Sequence, residues 1–167
     1  MVQKGRRLMI ETECQALIQH AVEAAGGRAL RFNNRFLVGV ADLLIQLPAR
    51  RAVILEAKLI TLSPKTTSHV WDVGCTDRQK AFLRDWHNAG MLTGVVSFVQ
   101  HHGVGLKSLQ IGLFEYTLIE RGAYIQQMPM KWHVRLEQHK PLGDKATRFH
   151  NITDRLSRFV DGVNDGY

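Results

Sequence analysis

Apolar residues recur every three or four positions between Ile10 and Ala25, and the pair Gly26-Gly27 follows them directly. This spacing places the apolar side chains along one side of a helix, and glycine is common just after a helix ends. The sequence therefore predicts an N-terminal helix over residues 10–25 with one face turned towards a core. The apolar positions of that face are Ile10, Cys14, Leu17, Ile18, Ala21, Val22 and Ala25.

Two apolar segments on either side of a proline-containing turn predict a β-hairpin. The first runs from Phe36 to Ile45 and the second from Ala52 to Leu59. Asp42 interrupts the first segment, and Glu56 and Lys58 interrupt the second. Because side chains two positions apart on a strand point the same way, we expect Glu56 and Lys58 to share one face. Asp42 is expected beside them, on the neighbouring strand.

The rest of the pattern predicts an α/β domain with a mixed central sheet flanked by helices. A second helix begins at Asp77, capped by Thr76 or by Asp77 itself, and ends before Gly90. Strands are predicted over residues 92–99 and 108–116. Ile152, Leu156, Phe159 and Val160 follow at helical spacing and predict a C-terminal helix with basic residues on its other faces.

The charged residues of the hairpin indicate chemistry, because burying a charge costs several kcal/mol unless it is paired or binds a metal. Asp42 and Glu56, with the carbonyl of Ala57, offer the hard oxygen ligands that Mg²⁺ or Mn²⁺ prefers. A nearby cation such as Lys58 suits the orientation of an attacking water or the stabilisation of charge on a phosphorane. The plain alternative is that Glu56 and Lys58 form a solvated pair on an edge strand, and the three residues alone leave both interpretations open.

The order Asp42, Glu56, Ala57, Lys58 on consecutive strands resembles the motif of the PD-(D/E)XK nuclease superfamily, which includes VRR-NUC domains and archaeal Holliday junction resolvases. Ala41 stands where the family name has a proline, a difference that removes no ligand. The resemblance spans about residues 9–99. It implies a restriction-endonuclease-like fold and a Mg²⁺-dependent DNA endonuclease that hydrolyses phosphodiester bonds with a metal-activated water, with Mn²⁺ as a substitute. It also suggests branched DNA such as a Holliday junction as substrate, and a homodimer that cuts two strands.

The resemblance also implies a role for each residue of the motif. Asp42 and Glu56 are expected to bind the metal, with Glu11 on the N-terminal helix as an additional ligand. Lys58 is expected to position water or charge, and Gln79 on the second helix to hold a phosphate or the attacking water. The alternatives are a solvated glutamate favoured by the helix dipole for Glu11 and an exposed surface residue for Gln79.

Composition agrees with a nucleic-acid partner. The 167 residues are 45% apolar and carry a formal net charge of +7, with a pI near 9.8. They are sufficient for one domain, with a core over about residues 9–125 and a basic extension over about 126–167. A basic chain suggests a polyanionic partner. We expect reduced cysteines, no organic cofactor and no membrane segment, and hence the cytoplasm, or the host cytoplasm if the gene is viral.

Candidate nucleic-acid contacts occur in four parts of the chain. Two precede the Asp42 strand, one lies between residue 59 and the second helix, in a segment interpreted as a long loop beside the active site, one lies in the first turn of that helix, and two lie in the C-terminal part. Residues 131–158 contain seven Lys and Arg against three acidic residues, which favours salt-sensitive contact with phosphates. An ordinary surface insertion and a solvated helix are the alternatives. The candidates are Arg31, Asn33, Lys65, Arg78, Lys145 and Arg148.

Two other functions remain open from the sequence. One is a catalytically inactive nucleic-acid-binding module of the same fold, which would keep the positive charge and the core. The other is a protein unrelated to DNA, in which the Asp, Glu and Lys of the hairpin are incidental.

Overall fold

The computed structural model describes residues 8–32, 39–63, 65–68, 70–102, 109–117 and 133–162. Within these ranges it contains three α-helices and eight β-strands, with one 3₁₀ turn at Leu136–Gln138. In chain order the elements are α1 (Glu11–Ala24), β1 (Arg28–Arg31), β2 (Leu43–Gln46), β3 (Val53–Leu62), β4 (Val70–Asp72), α2 (Asp77–Asn88), β5 (Leu92–His101), β6 (Gln110–Glu115), β7 (His133–Arg135), β8 (Lys140–Pro141) and α3 (Arg148–Val160).

Six strands form the central sheet, in the order β1-β2-β3-β5-β6-β8. Strands β3 and β5 run parallel along their whole length, and every other neighbouring pair in this sheet is antiparallel. Helix α2 lies in the connection between the two parallel strands, as a parallel pair requires. Strands β4 and β7 pair separately. The prediction of a mixed sheet flanked by helices is confirmed.

The two faces of the sheet carry two separate cores. Leu55 packs among residues of α1 and α3, whereas its neighbour Ile54 packs with Leu83 of α2 and Val134 of β7. Adjacent residues of a strand point to opposite faces, so α1 and α3 cover one face and α2 with the small sheet covers the other. Ile152, Leu156 and Val160 are buried, which confirms the apolar stripe of the C-terminal helix.

The first predicted strand is wrong over its N-terminal part. Strand β2 begins only at Leu43, Gly39 lies in a turn, and residues 36–38 are outside the described residues. Asp42 therefore precedes the strand instead of lying within it. The reason is that a side chain takes the place of the backbone in the strand pairing. The Asp42 carboxylate accepts the hydrogen bond of the Ala57 amide at 2.8 Å, which a backbone carbonyl would accept if β2 were longer.

The segment between Lys58 and Gln79 is more ordered than the predicted long loop. Strand β3 continues to Leu62 because β5 pairs with it residue by residue as far as His101. Strand β4 follows and pairs with β7, more than 60 residues later in the chain. Strand β1 was not predicted either. In the described part of the chain no helix has the length and apolar character needed to cross a membrane.

Candidate active site

Three carboxylates meet at the point where β2 and β3 separate. Glu11 is the first residue of α1, Asp42 directly precedes β2, and Glu56 lies in the middle of β3. One carboxylate oxygen from each lies within 4.8 Å of the others. The pairing of Leu43 with Leu55 places Asp42 beside Glu56. We call these three residues the acidic cluster.

Lys58 adds a positive charge to the acidic cluster. Its Nζ lies 2.7 Å from Oε1 of Glu56 and 3.7 Å from Oε1 of Glu11. The expectation that Glu56 and Lys58 share one face of β3 is therefore met by the geometry. Only 12% of the lysine side chain is exposed, so this is not the solvated surface pair that the sequence left open. The described cluster combines three carboxylates with a single ammonium.

Glu56 has one carboxylate oxygen without a partner. The residue is fully buried, and its Oε1 accepts hydrogen bonds from Lys58 and from Nε2 of Gln79. Its Oε2 is also buried, yet it has no hydrogen-bond partner among the described residues. Buried polar atoms in folded proteins are nearly always satisfied. An oxygen of this kind, beside two further carboxylates, fits a divalent cation with a preference for hard oxygen ligands.

Burial and mutual repulsion govern the ionisation of the acidic cluster. Burial, reinforced by the charge of Asp42, raises the pKa of Glu56 to about 8, and Lys58 offsets only part of this effect. Burial also raises the pKa of Glu11. For Lys58, burial alone would lower the pKa, but the charge of Glu56, its hydrogen bond to Lys58 and the charge of Glu11 together outweigh burial, and the pKa is raised. The ammonium is thus firmly held, while the carboxylates need additional positive charge to be ionised together.

Gln79 links α2 to the acidic cluster. Oγ1 of Thr76 accepts a hydrogen bond from the Gln79 amide at 3.2 Å, and Oε1 of Gln79 accepts one from the Thr76 amide at 2.9 Å. This reciprocal pair is a capping box, which fixes the first turn of the helix. The remaining end of the side chain, Nε2, donates to Glu56. In this structure Gln79 therefore orients a carboxylate of the cluster, and its carbonyl oxygen is engaged by the cap.

A glycine allows α2 to approach the segment that leads to Asp42. Gly39 has a φ of +91°, and a Cβ atom at this position would overlap Cβ of Arg78 and lie 3.3 Å from the Arg78 carbonyl carbon. The first turn of α2 therefore packs directly on the backbone three residues before Asp42. This close packing brings the helix that carries Gln79 against the segment that carries Asp42.

Three of the predicted nucleic-acid contacts lie around β1, β3 and α2. Arg31 pairs with Leu43 across the sheet, next to Asp42, and its buried Nε has no hydrogen-bond partner among the described residues. Lys65 is exposed in the turn after β3, and Arg78 is exposed in the first turn of α2. The predicted contact at Asn33 lies outside the described residues.

The two C-terminal candidates lie at the start of α3. Lys145 is exposed in the turn before the helix, and Arg148 is its first residue. Arg148 lines a groove together with Met9 and Glu13, close to the start of α1. It therefore approaches the helix that supplies Glu11, whereas no contact places Lys145 at the acidic cluster in the described part of the chain.

Sequence reasoning missed two buried residues near the site. Cys75 directly precedes the α2 cap, and burial, together with the charge of Glu56, raises its pKa to about 12, so it is an inert thiol. Both cysteines are free, as expected. Gln100, near the end of β5, contacts the chain just before α1. Neither residue belongs to a recognisable motif, and their positions depend on contacts between distant parts of the chain.

No protein-family model matches the chain, and no curated protein does. Among solved structures it is similar to a Holliday junction resolvase from the archaeal hyperthermophile Archaeoglobus fulgidus. The two are 10% identical in sequence, the match covers 75% of this chain and 88% of the resolvase, and the TM-score is 0.48. The function is therefore inferred from the geometry of the acidic cluster itself.

Proposed function

We propose that this protein is a metal-dependent DNA endonuclease that hydrolyses phosphodiester bonds. The observation that carries the proposal is the fully buried Glu56, whose unpaired oxygen belongs to a cluster with Glu11 and Asp42 and with the ammonium of Lys58. Removing one carboxylate from water is costly, and gathering three is more so. Binding of a cation and of a phosphate substrate would account for an arrangement that is otherwise costly.

Glu11, Asp42 and Glu56 are the residues that would hold Mg²⁺, or Mn²⁺ as a substitute. When bound, a divalent cation supplies an activated water and neutralises charge on the phosphate. Gln79 keeps the Glu56 carboxylate in one orientation through its donated hydrogen bond. Asp42 is held in the same way by the Ala57 amide. Both ligands are thus fixed by the protein before any substrate arrives, which lowers the cost of assembling the site.

Lys58 is the residue suited to act on the substrate. Its raised pKa keeps it charged at any pH at which the enzyme would work, and its Nζ lies between two carboxylates. Once those carboxylates bind a cation, the ammonium can donate to the attacking water or to a non-bridging phosphate oxygen. A fixed positive charge near developing negative charge is one of the larger contributions to catalysis.

The proposed substrate is DNA, with branched DNA such as a Holliday junction as the class to test first. The support is the net charge of +7 and the positions of the basic residues Arg78, next to Gln79, and Arg148, near the start of α1. With Arg31, Lys65 and Lys145 they are proposed to contact phosphates. A homodimer would supply two sites for two strands. The alternative, an inactive DNA-binding module, is disfavoured because the complete acidic cluster would serve no purpose in it.

The test compares labelled linear duplex, single-stranded, flap and four-way-junction DNA in Mg²⁺, in Mn²⁺ and in chelator. Lys58→Met is measured beside a matched control, Lys140→Met, which removes the same charge from an exposed position on β8. We expect metal-dependent cutting that falls by about 10²- to 10³-fold in Lys58→Met, with DNA binding retained, and near-normal cutting in the control. Salt-sensitive binding without cutting in any metal would establish the inactive module. If the protein neither binds nor cuts any of these DNA substrates, a DNA-directed function is excluded.

A further inference from the structure

We propose that Gln100 is a positioning residue that holds the first turn of α1, and with it the Glu11 carboxylate, in the acidic cluster. The inference rests on the proposed function, since it concerns the metal affinity of that cluster. Gln100 lies on β5, is only 5% exposed, and is separated from α1 by most of the chain.

The side chain of Gln100 binds the backbone just before α1 in both directions. Its Oε1 accepts a hydrogen bond from the Met9 amide at 3.0 Å, and its Nε2 donates to the Met9 carbonyl at 3.0 Å. The second hydrogen of the same amide is donated to Oγ1 of Thr61, its neighbour on β3, at 2.9 Å. The glutamine amide thus pairs with Met9 as another strand would, and it is itself anchored to the central sheet.

Helix α1 needs such an anchor because its own start is weakly capped. The N-cap residue is Ile10, which has no side-chain oxygen to accept a hydrogen bond from the first turn. Glu13 supplies half of a capping box by accepting a hydrogen bond from the Ile10 amide at 2.9 Å. Helix α2, in contrast, has the complete Thr76 and Gln79 box. The first residues of a helix fray most easily, and Glu11 is the first residue of α1.

The position of the anchor connects it to Glu11. Met9 is two residues before Glu11, so a fixed Met9 backbone leaves the glutamate little freedom to move away from Lys58, whose Nζ is 3.7 Å distant. Met9 also packs against the main core, which restrains its side chain but not the direction of its peptide groups. The double hydrogen bond to Gln100 sets that direction. Loss of the amide should therefore loosen Glu11 while Asp42 and Glu56 keep their own supports.

The test uses Gln100→Met, which keeps the length of the side chain and removes all three hydrogen bonds. The matched control is Thr61→Val, an exposed strand position whose replacement removes only the third hydrogen bond and leaves both bonds to Met9. Thermal unfolding confirms that each variant is folded.

Two readouts are needed, and neither is cleavage. The first is amide hydrogen exchange of Met9 and of residues 11–14 in chelator, expected to be about tenfold faster in Gln100→Met and unchanged in Thr61→Val. The second is Mn²⁺ affinity by calorimetry without DNA. Mutating a residue that supports a metal ligand typically lowers metal affinity by about ten- to a hundredfold, so we expect Gln100→Met to weaken Mn²⁺ binding by about tenfold.

A double-mutant cycle separates positioning from a general structural role. In the Glu11→Gln background, Gln100→Met should weaken Mn²⁺ binding no further, because the group that it positions is already gone. Additive effects, an unchanged Mn²⁺ affinity, or unchanged exchange at the start of α1 would each overturn the role of Gln100. If the unmodified protein binds no Mn²⁺, the proposed metal site fails, and the positioning role fails with it. The two failures are distinguishable, since one is seen in the unmodified protein and the other only in the variants.

Discussion

Replacing Glu56 with glutamine should make the metal-free protein more stable at neutral and alkaline pH, although it removes a residue proposed to be essential. The amide has the size of the carboxylate, and its oxygen can accept the hydrogen bonds from Lys58 and Gln79. Its NH₂ group takes the place of the unpaired Oε2, in a cluster where a carboxylate oxygen of Asp42 lies within 4.8 Å of the Glu56 carboxylate. The substitution therefore replaces a buried negative charge with a donor beside a second carboxylate.

The magnitude follows from the pKa of Glu56, which is 4.5 without perturbation and about 8 in the folded protein. A carboxyl group with a raised pKa contributes its full stability below pH 4.5, and this contribution is lost as pH rises through 8. Each pKa unit corresponds to about 1.4 kcal/mol, so the loss is about 3 kcal/mol at pH 7 and about 5 kcal/mol above pH 9. Glutamine mimics the protonated carboxyl and loses nothing over this range.

The assay is urea denaturation in chelator at pH 4, 7 and 9, with the exposed Glu137→Gln as a matched control. We expect Glu56→Gln to equal the unmodified protein at pH 4 and to exceed it by about 3 kcal/mol at pH 7, equivalent to about 6–12 °C in melting temperature for a chain of this size. The control should change by less than about 0.5 kcal/mol at every pH. A variant that is less stable at pH 9, or a difference that does not grow with pH, would refute the reasoning about a buried, destabilising charge.

Three further predictions test the packing, the metal site and the DNA surface. Gly39→Ala should lower the free energy of unfolding by about 2–4 kcal/mol, because a positive φ and overlap with Arg78 act together. Gly90→Ala, at φ +92° in open space, should lower it by only about 1–2 kcal/mol. Equal losses in urea titrations would contradict the contact between Gly39 and Arg78. Mn²⁺ affinity measured by calorimetry should fall about tenfold for each pH unit below about 8, because metal binding must displace the proton of Glu56; an affinity independent of pH would refute this. Arg148→Gln should weaken DNA binding equally for all sequences and lower the slope of log affinity against log salt by about one, and an unchanged slope would remove this residue from the interface.

The helices and the longest strands could be predicted because their signals are local. The apolar stripe of α1, the capping residues of α2 and the apolar run of β5 each occupy a short stretch of sequence and agree with the structure. The pairing of Glu56 with Lys58 was also accessible, since alternation along one strand determines it. These features need no knowledge of what the rest of the chain does.

The remaining features depend on partners that are distant in the sequence. Strands β4 and β7 have three residues each, too few for an alternating pattern, and they exist because they pair across more than 60 residues. The strand predicted through Asp42 failed because a side chain, not the backbone, takes the hydrogen bond of Ala57. An apolar run beside a carboxylate looks like a strand in the sequence, whether the backbone or the carboxylate accepts the hydrogen bond of the neighbouring strand.

The acidic cluster shows why a candidate site could be predicted in part. Its residues on β3 are noticeable in the sequence because charges stand in an apolar run, where they cost stability unless a function uses them. Glu11 carries a much weaker signal, since acidic residues are ordinary in the first turn of a helix. What brings it to Lys58 is the backbone of Met9, held by an amide 91 residues away. Residues proposed to do the chemistry can thus be inferred from their cost in stability, whereas residues proposed to position them become visible only when the fold supplies their contacts.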